Sequence, residues 1–258
     1  MAGDAPLPSF RLDGRRALIT GSTQGIGLAL ARAFVHAGAS VCLHGLSGGL
    51  EVERERQALA KLGPKVGFCA ANLARTDDVR LLLETIQSVL GGIDILVINA
   101  AVQVEKRIEQ QSDAEIQGQL DVNLRSTFQL LRALLKPMRT RGWGRVLAIG
   151  SIQEFKGYAG MPVYSATKAA QSNWVRALAR DCAADGVTIN SIAPGTVDTP
   201  RNEVMLREHA DFVRKQIPMR RIGQPEDIVG AALLLCSDAG HYITGVSLPV
   251  DGGMAAGR

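Results

Sequence analysis

The chain has 258 residues, 46% of them apolar and 21% charged, a globular composition that excludes a disordered or fibrous protein. Lys and Arg total 29 against 25 Asp and Glu, and the net charge of +4 is scattered, with no basic block and no aromatic–basic interleaving. This excludes nucleic acid as a partner, and no apolar run reaches the ~18 residues of a membrane span.

The elements then follow in chain order. Residues 1–11 read as a short polar tail, with prolines at 6 and 8 and neither the basic nor the apolar region of a secretion signal. Short apolar runs at Ala17–Thr20, Ser40–His44, Val66–Ala70, Ile93–Asn99, Arg145–Ser151, Val187–Ala193 and Val246–Val250 predict strands. Amphipathic stretches at Gly25–Ala37, Thr76–Leu90, Ala114–Met138, Val163–Ala184 and Glu226–Cys236 predict helices between them, with glycines at the joins. Strands that are apolar throughout belong to a sheet covered on both faces. The expected fold is therefore α/β: one Rossmann-type domain over 1–258, a doubly wound parallel sheet with helices on either side. Only 196–223 breaks the alternation, being charged and irregular with a helical patch near Glu203–Lys215. It follows a strand end, where ligands bind in open α/β sheets, and is read as a substrate-covering loop. The cysteines, Cys42, Cys69, Cys182 and Cys236, form no CxxC pair and sit in apolar patterns. They are expected to be buried free thiols, which implies a reducing compartment and a cytoplasmic location.

The first strand–helix joint reads Thr20-Gly21-Ser22-Thr23-Gln24-Gly25-Ile26-Gly27. Glycines there permit a tight turn and bring backbone N–H groups against a pyrophosphate at the helix N-terminus. The ribose-reading position, about 20 residues on, holds Gly45-Leu46-Ser47-Gly48-Gly49. An acid there would repel a 2′-phosphate, and none occurs before Glu51; the glycines with the Ser47 hydroxyl form a possible phosphate seat. NADP is favoured over NAD on that ground. Tyr164 and Lys168 stand four apart in a helical stretch, hence on one face. Ser151 ends the preceding strand, and Asn123 lies in the earlier helix. A free tyrosine ionises near 10, and a lysine beside it would bring the phenolate towards working pH.

Together these residues, in this order from Leu12 to Gly253, resemble the short-chain dehydrogenase/reductase family. The match includes Thr20–Gly27, Asn123, Ser151, Tyr164, Lys168 and Ile192-Ala193-Pro194-Gly195. The resemblance implies that Tyr164 exchanges a proton with the substrate oxygen, that Ser151 holds that oxygen, and that Lys168 binds the nicotinamide ribose. It makes Asn123 the anchor of a water relay to Lys168. Asn72 and Leu73 become adenine-side contacts. Asn99, Ala100 and Ala101 pack on the cofactor, and Pro194, Gly195, Thr196, Val197 and Thr199 face its nicotinamide. The usual Asn-Asn-Ala-Gly is Ile98-Asn99-Ala100-Ala101 here, a departure that leaves the catalytic four intact.

Substrate residues are sought at Gln103, Ser151, Gln153, Glu154 and Tyr164. The segments Val102-Gln103 and Ile152-Gln153-Glu154-Phe155 resemble gluconate 5-dehydrogenases, which act on sugar acids. Ile222 to Asp227 and the closing Val250 to Gly253 resemble 3-oxoacyl-acyl-carrier-protein reductases, the preferred reading, with an acyl thioester as substrate. Arg107, Arg201, Arg207 and Arg214 are candidates for meeting a carboxylate, against an ordinary surface role for each. Two alternatives from other classes remain: a nucleotide-binding regulator without activity, opposed by the complete catalytic set, and a nucleotide-sugar isomerase or dehydratase, which uses a similar Tyr-x-x-x-Lys. The histidines show no ligand spacing, so no metal is expected. The resemblance also implies a homotetramer.

Overall fold

The computed structural model describes residues 9–256, so residues 1–8 of the expected tail lie outside the described residues. The elements run β1 (Arg16–Ile19), α1 (Gly25–His36), β2 (Ser40–Gly45), α2 (Leu50–Ala60), β3 (Val66–Ala70), α3 (Thr76–Leu90), β4 (Ile95–Ile98) and α4 (Asp113–Leu120). They continue with α5 (Ser126–Thr140), β5 (Gly144–Ile149), α6 (Pro162–Cys182), β6 (Val187–Pro194), α7 (Glu203–Gln216), α8 (Val229–Cys236) and β7 (Ser247–Val250). The seven strands form one parallel sheet in the order β3-β2-β1-β4-β5-β6-β7. Chain order reverses between β1 and β4, which opens a crevice at their carboxyl ends.

Strand alternation divides the core into two layers. Leu18 of β1 and Leu96 of β4 face one way, onto Val79, Leu82 and Ile86 of α3, Leu130 of α5 and Val175 of α6. Ala17, Ile19, Ile95 and Val97 face the other way, onto Leu30 and Phe34 of α1 and Ala232 and Leu235 of α8. Every residue of β4, β5 and β6 is buried, which is why these strands are mainly apolar, with Arg145, Thr188, Asn190 and Ser191 as their buried polar residues. The four cysteines are free and buried, and burial pushes the Cys42 and Cys236 thiols up to about 12. Among the described residues no helix is long and apolar enough to cross a membrane.

Two elements depart from the sequence pattern. α2 has one buried residue, Leu59, and otherwise carries charge, so it shows no apolar stripe. The expected helix Ala114–Met138 is α4 and α5 joined by a π-helical turn over Asp121–Arg125. That widened turn holds Asn123, and such turns collect at functional sites.

Candidate active site

The glycine loop follows β1 at the crevice. Gly21 and Gly25 have φ of 64° and 53°, in the left-handed region that favours glycine. A Cβ on Gly27 would lie 2.2 Å from the Gly21 carbonyl oxygen and 2.5 Å from Asn99 Nδ2, so no side chain fits. Two side chains fix the loop on its β4 side. Asn99 Nδ2 donates to the carbonyls of Thr20 and Gly21, both at 2.9 Å. Thr20 Oγ1 accepts the N–H groups of Asn99 and Ala100 at 2.9 and 3.0 Å. On the β2 side, Ser22 Oγ donates to the Ile19 carbonyl and accepts the His44 N–H. His44 Nδ1 accepts the Gly21 N–H at 3.0 Å, while Nε2 donates to the Ala71 carbonyl at 3.0 Å. Burial holds this imidazole neutral, its pKa lowered to about 4. α1 begins at Gly25 with no side-chain cap, which leaves its first N–H groups for an anion.

A cavity of about 980 Å³ runs from this loop to the catalytic helix. Gly21, Thr23, Gln24, Gly25, Ile26 and Gly27 line one end, with Gly45, Leu46, Ser47, Asn72 and Leu73 beside them. Leu46 is 76% exposed, and the first acids beyond it belong to α2, where Glu53 pairs with Arg56 and Glu55 with Arg32. The residues therefore suit a dinucleotide: an uncapped helix start in a glycine cradle, followed by a strand end free of acidic side chains. Asn72 turns inward on its own loop, its N–H on Asp78 and its Oδ1 on the Ala74 N–H.

Ser151, Tyr164 and Lys168 meet in the middle of the cavity. Ser151 caps the 3-10 turn after β5 by accepting the Gln153 N–H at 3.2 Å. Lys168 lies one turn beyond Tyr164 on α6, its Nζ 5.5 Å from the centre of the tyrosine ring. That Nζ donates to the Ile149 carbonyl at 2.7 Å and to Gln171 Oε1 at 3.4 Å. Burial, helped by the Arg201 charge and opposed by Glu154, brings Lys168 down to about 7. Burial pushes the Tyr164 phenol up, against the Arg201 charge and hydrogen bonds from Ser151 and Arg201. Arg201, on the segment after β6, is thus a second cation that acts on the phenol, beside Lys168 against the ring.

That segment closes one side of the cavity. Thr196, Val197 and Thr199 line it along with Pro194 and Gly195, and Val197 bridges to Gly223. α7 contributes Met205, Phe212 and Val213. Arg201 Nη2 reaches the Ala101 carbonyl at 2.9 Å, spanning from the β6 side to the loop after β4. Among the arginines singled out from sequence, Arg107 and Arg214 pair with neighbouring acids, Glu109 and Asp211, and Arg207 is exposed. None of these three is on the cavity wall.

Most of the sequence-derived site residues converge here, Asn99, Ala100, Ala101, Gln103 and Gln153 included. Three do not reach the wall. Ser22 is buried and braces the loop. Asn123 spends its side chain on the β4 loop: Oδ1 accepts the Val102 N–H at 2.8 Å, and Nδ2 donates to the Val102 carbonyl at 2.9 Å. Glu154 points behind the catalytic helix. Its Oε1 accepts from Ser247 Oγ and its buried Oε2 has no partner, so it acts on Lys168 and is absent from the substrate side. Sequence reasoning passed over Lys156, which lines the cavity, and the bracing role of His44.

Residues 21–255 match the family model described as Enoyl-(Acyl carrier protein) reductase. The 3-oxoacyl-[acyl-carrier-protein] reductase of Aquifex aeolicus is 35% identical over 245 residues, which span 95% of this chain and 99% of the relative. A solved structure of a 3-oxoacyl (acyl-carrier-protein) reductase from Agrobacterium tumefaciens with NADP bound superposes with a TM-score of 0.89 at 40% identity, covering 94% of this chain and 95% of that one. The gluconate 5-dehydrogenase of Burkholderia cenocepacia, in complex with NADP and tartrate, gives 0.89 at 32% identity, over 96% and 98% of the two chains.

Proposed function

The chain belongs to the short-chain dehydrogenase/reductase family, and from that premise we propose that it interconverts a secondary alcohol and a ketone with NADP(H). The observation that carries this is the meeting of Tyr164, Ser151 and Lys168 in one cavity with the glycine cradle. The relatives with bound NADP and the acid-free strand end at Gly45–Ser47 support that cofactor over NAD.

Bound NADPH supplies the hydride. The chain's own residues manage the oxygen and its proton. Ser151 holds the carbonyl oxygen beside Tyr164, whose O–H gives up its proton as the oxygen gains charge, and takes one back in the reverse direction. The pKa of Lys168 near 7 lets it return a proton to the phenolate at neutral pH. Asn123 keeps the β4 loop in register with α6 through Val102 and Thr167, a positioning role. The segment 196–223 covers the substrate.

For the substrate, the 3-oxoacyl thioester reading is supported by the relatives' names. A hydroxy-acid or sugar-acid reading is favoured by a specific observation, the cations Arg201 and Lys156 on the cavity wall beside the catalytic tyrosine. The buried free thiols support a cytoplasmic location. Half-exposed Phe128 on α5, packed against Trp174 of α6, supports assembly through those helices into a homotetramer.

The test is NADPH oxidation with an acetoacetyl thioester and NADP reduction with gluconate, in the wild type and in Tyr164→Phe. Tyr164→Phe is expected to lose at least a thousandfold in turnover while binding NADPH as the wild type does. A variant at the wild-type rate would remove the acid/base role, and NADPH binding with no turnover of any carbonyl would leave only nucleotide binding.

A further inference from the structure

We propose that Arg201 binds a carboxylate of the substrate next to the reacting carbon, so that the enzyme acts on a short hydroxy or oxo acid. The proposal rests on the alcohol–ketone reading above and names the substrate class for the same site.

Geometry places the guanidinium at the right depth. Arg201 sits on the 3-10 turn Pro200–Asn202, where the segment after β6 crosses the cavity. One nitrogen is anchored on the Ala101 carbonyl at 2.9 Å, and the charge of the group acts on the Tyr164 phenol in the same cavity. A substrate oxygen held by Ser151 and Tyr164 therefore shares one cavity with this cation, which acts on the same phenol. A guanidinium has five N–H donors in a fixed fork, and its planar pair matches a carboxylate. With one donor spent on Ala101, an edge is left for an anion.

Charge makes the same point independently. Among the described residues no carboxylate pairs with Arg201, whereas Arg221 in the same segment is matched by Asp227. Lys156 adds a second positive group to the wall and Glu105, on the loop after β4, a negative one that pairs with neither cation among the described residues. Glu154, the acid nearest the lysine, is turned away and held by Ser247. The site thus presents an unmatched cation to whatever fills it, and it lies against a lysine that must also carry charge. A carboxylate satisfies Arg201 and relieves that repulsion; a neutral thioester leaves the cation unpaired.

The experiment uses matched pairs that differ chiefly in charge and carry the carboxyl group on the reacting carbon: 2-oxobutyrate against its methyl ester, and 2-hydroxybutyrate against its amide. Each is assayed with the wild type, Arg201→Gln and Arg201→Lys. The acid-to-neutral ratio of kcat/KM is expected to fall at least thirtyfold in Arg201→Gln. Arg201→Lys, which keeps charge without the fork, should recover part of it. A role through the phenol alone would slow both members of a pair equally and leave the ratio unchanged, which overturns the proposal. Malonate binding to NADP-loaded protein by calorimetry gives a readout free of turnover. Binding that weakens at least tenfold in Arg201→Gln is expected, while no binding, or equal binding, overturns the proposal. Arg201-dependent malonate binding without turnover of any pair would keep this site and remove the alcohol–ketone reading.

Discussion

His44 makes folding depend on pH in a calculable way. The residue is 2% exposed, and its ring accepts the Gly21 N–H while donating to the Ala71 carbonyl, a pair of bonds that only the neutral ring protonated on Nε2 can make. Its pKa is lowered from 6.5 to about 4, with burial the dominant cause. The unfolded chain therefore takes up a proton below about 6.5 that the folded chain refuses until about 4. Stability from this group is complete above the upper value and is lost as the pH falls through the window. At 1.36 kcal/mol per pKa unit, the full loss is about 3 kcal/mol. The substitution His44→Leu abolishes the titration and strands the Gly21 N–H and the Ala71 carbonyl, at roughly 1–3 kcal/mol each. Urea unfolding of wild type and His44→Leu at matched subunit concentration isolates the effect, because all other titrating groups cancel in the difference. The gap should be largest near pH 7.5 and shrink by ~2–3 kcal/mol at about pH 4.5. A gap independent of pH would refute the neutral, buried imidazole and with it the brace on the glycine loop.

Gly27→Ala must push the Gly21 carbonyl and Asn99 apart, since its Cβ would sit 2.2 Å from that oxygen. NADPH affinity should fall at least a hundredfold by fluorescence titration, and an unchanged affinity would place the phosphates elsewhere. Gly45→Asp puts a carboxylate where the 2′-phosphate is expected, displacing only the Thr23 methyl 2.7 Å away. The NADPH-to-NADH ratio of kcat/KM should drop at least tenfold, and a constant ratio would mean that the seat is not at the end of β2. Glu154→Gln removes a carboxylate that raises the Lys168 pKa. The limb of the kcat/KM profile assigned to Lys168 should move to lower pH; no shift, or an upward one, contradicts the coupling.

The chain's local periodicity carried most of the fold, for a physical reason. β4, β5 and β6 are buried on both faces, so β4 is apolar at every position, while polar residues enter β5 only at Arg145 and β6 at Thr188, Asn190 and Ser191, and the strands stand out without a partner. α2 is hidden by the same logic, since a helix that buries only Leu59 has no stripe to display. The residues proposed as catalytic were legible where they share an element or follow one closely. Tyr164 and Lys168 are one helical turn apart, and Ser151 stands two residues past β5, capping the next turn. What remained hidden depends on contacts between distant parts of the chain. The π turn at Asn123 accompanies its two bonds to Val102, 21 residues earlier, and periodicity alone draws one straight helix there. Glu154 has the right type and stands beside Ser151, yet its bond to Ser247, 93 residues on, turns it behind Lys168. Arg201 looks like any surface arginine until its bond to Ala101, 100 residues earlier, swings it across the cavity. Cofactor and proton chemistry use backbone and helix geometry, which short spacings encode. Substrate choice depends on which side chains the loops at the strand ends bring face to face, and no spacing within one element encodes that meeting. The same division explains why the proposed reaction class follows from local motifs while the proposed substrate class turns on Arg201, where a change of one side chain should alter selectivity for charge and leave the reaction type as it is.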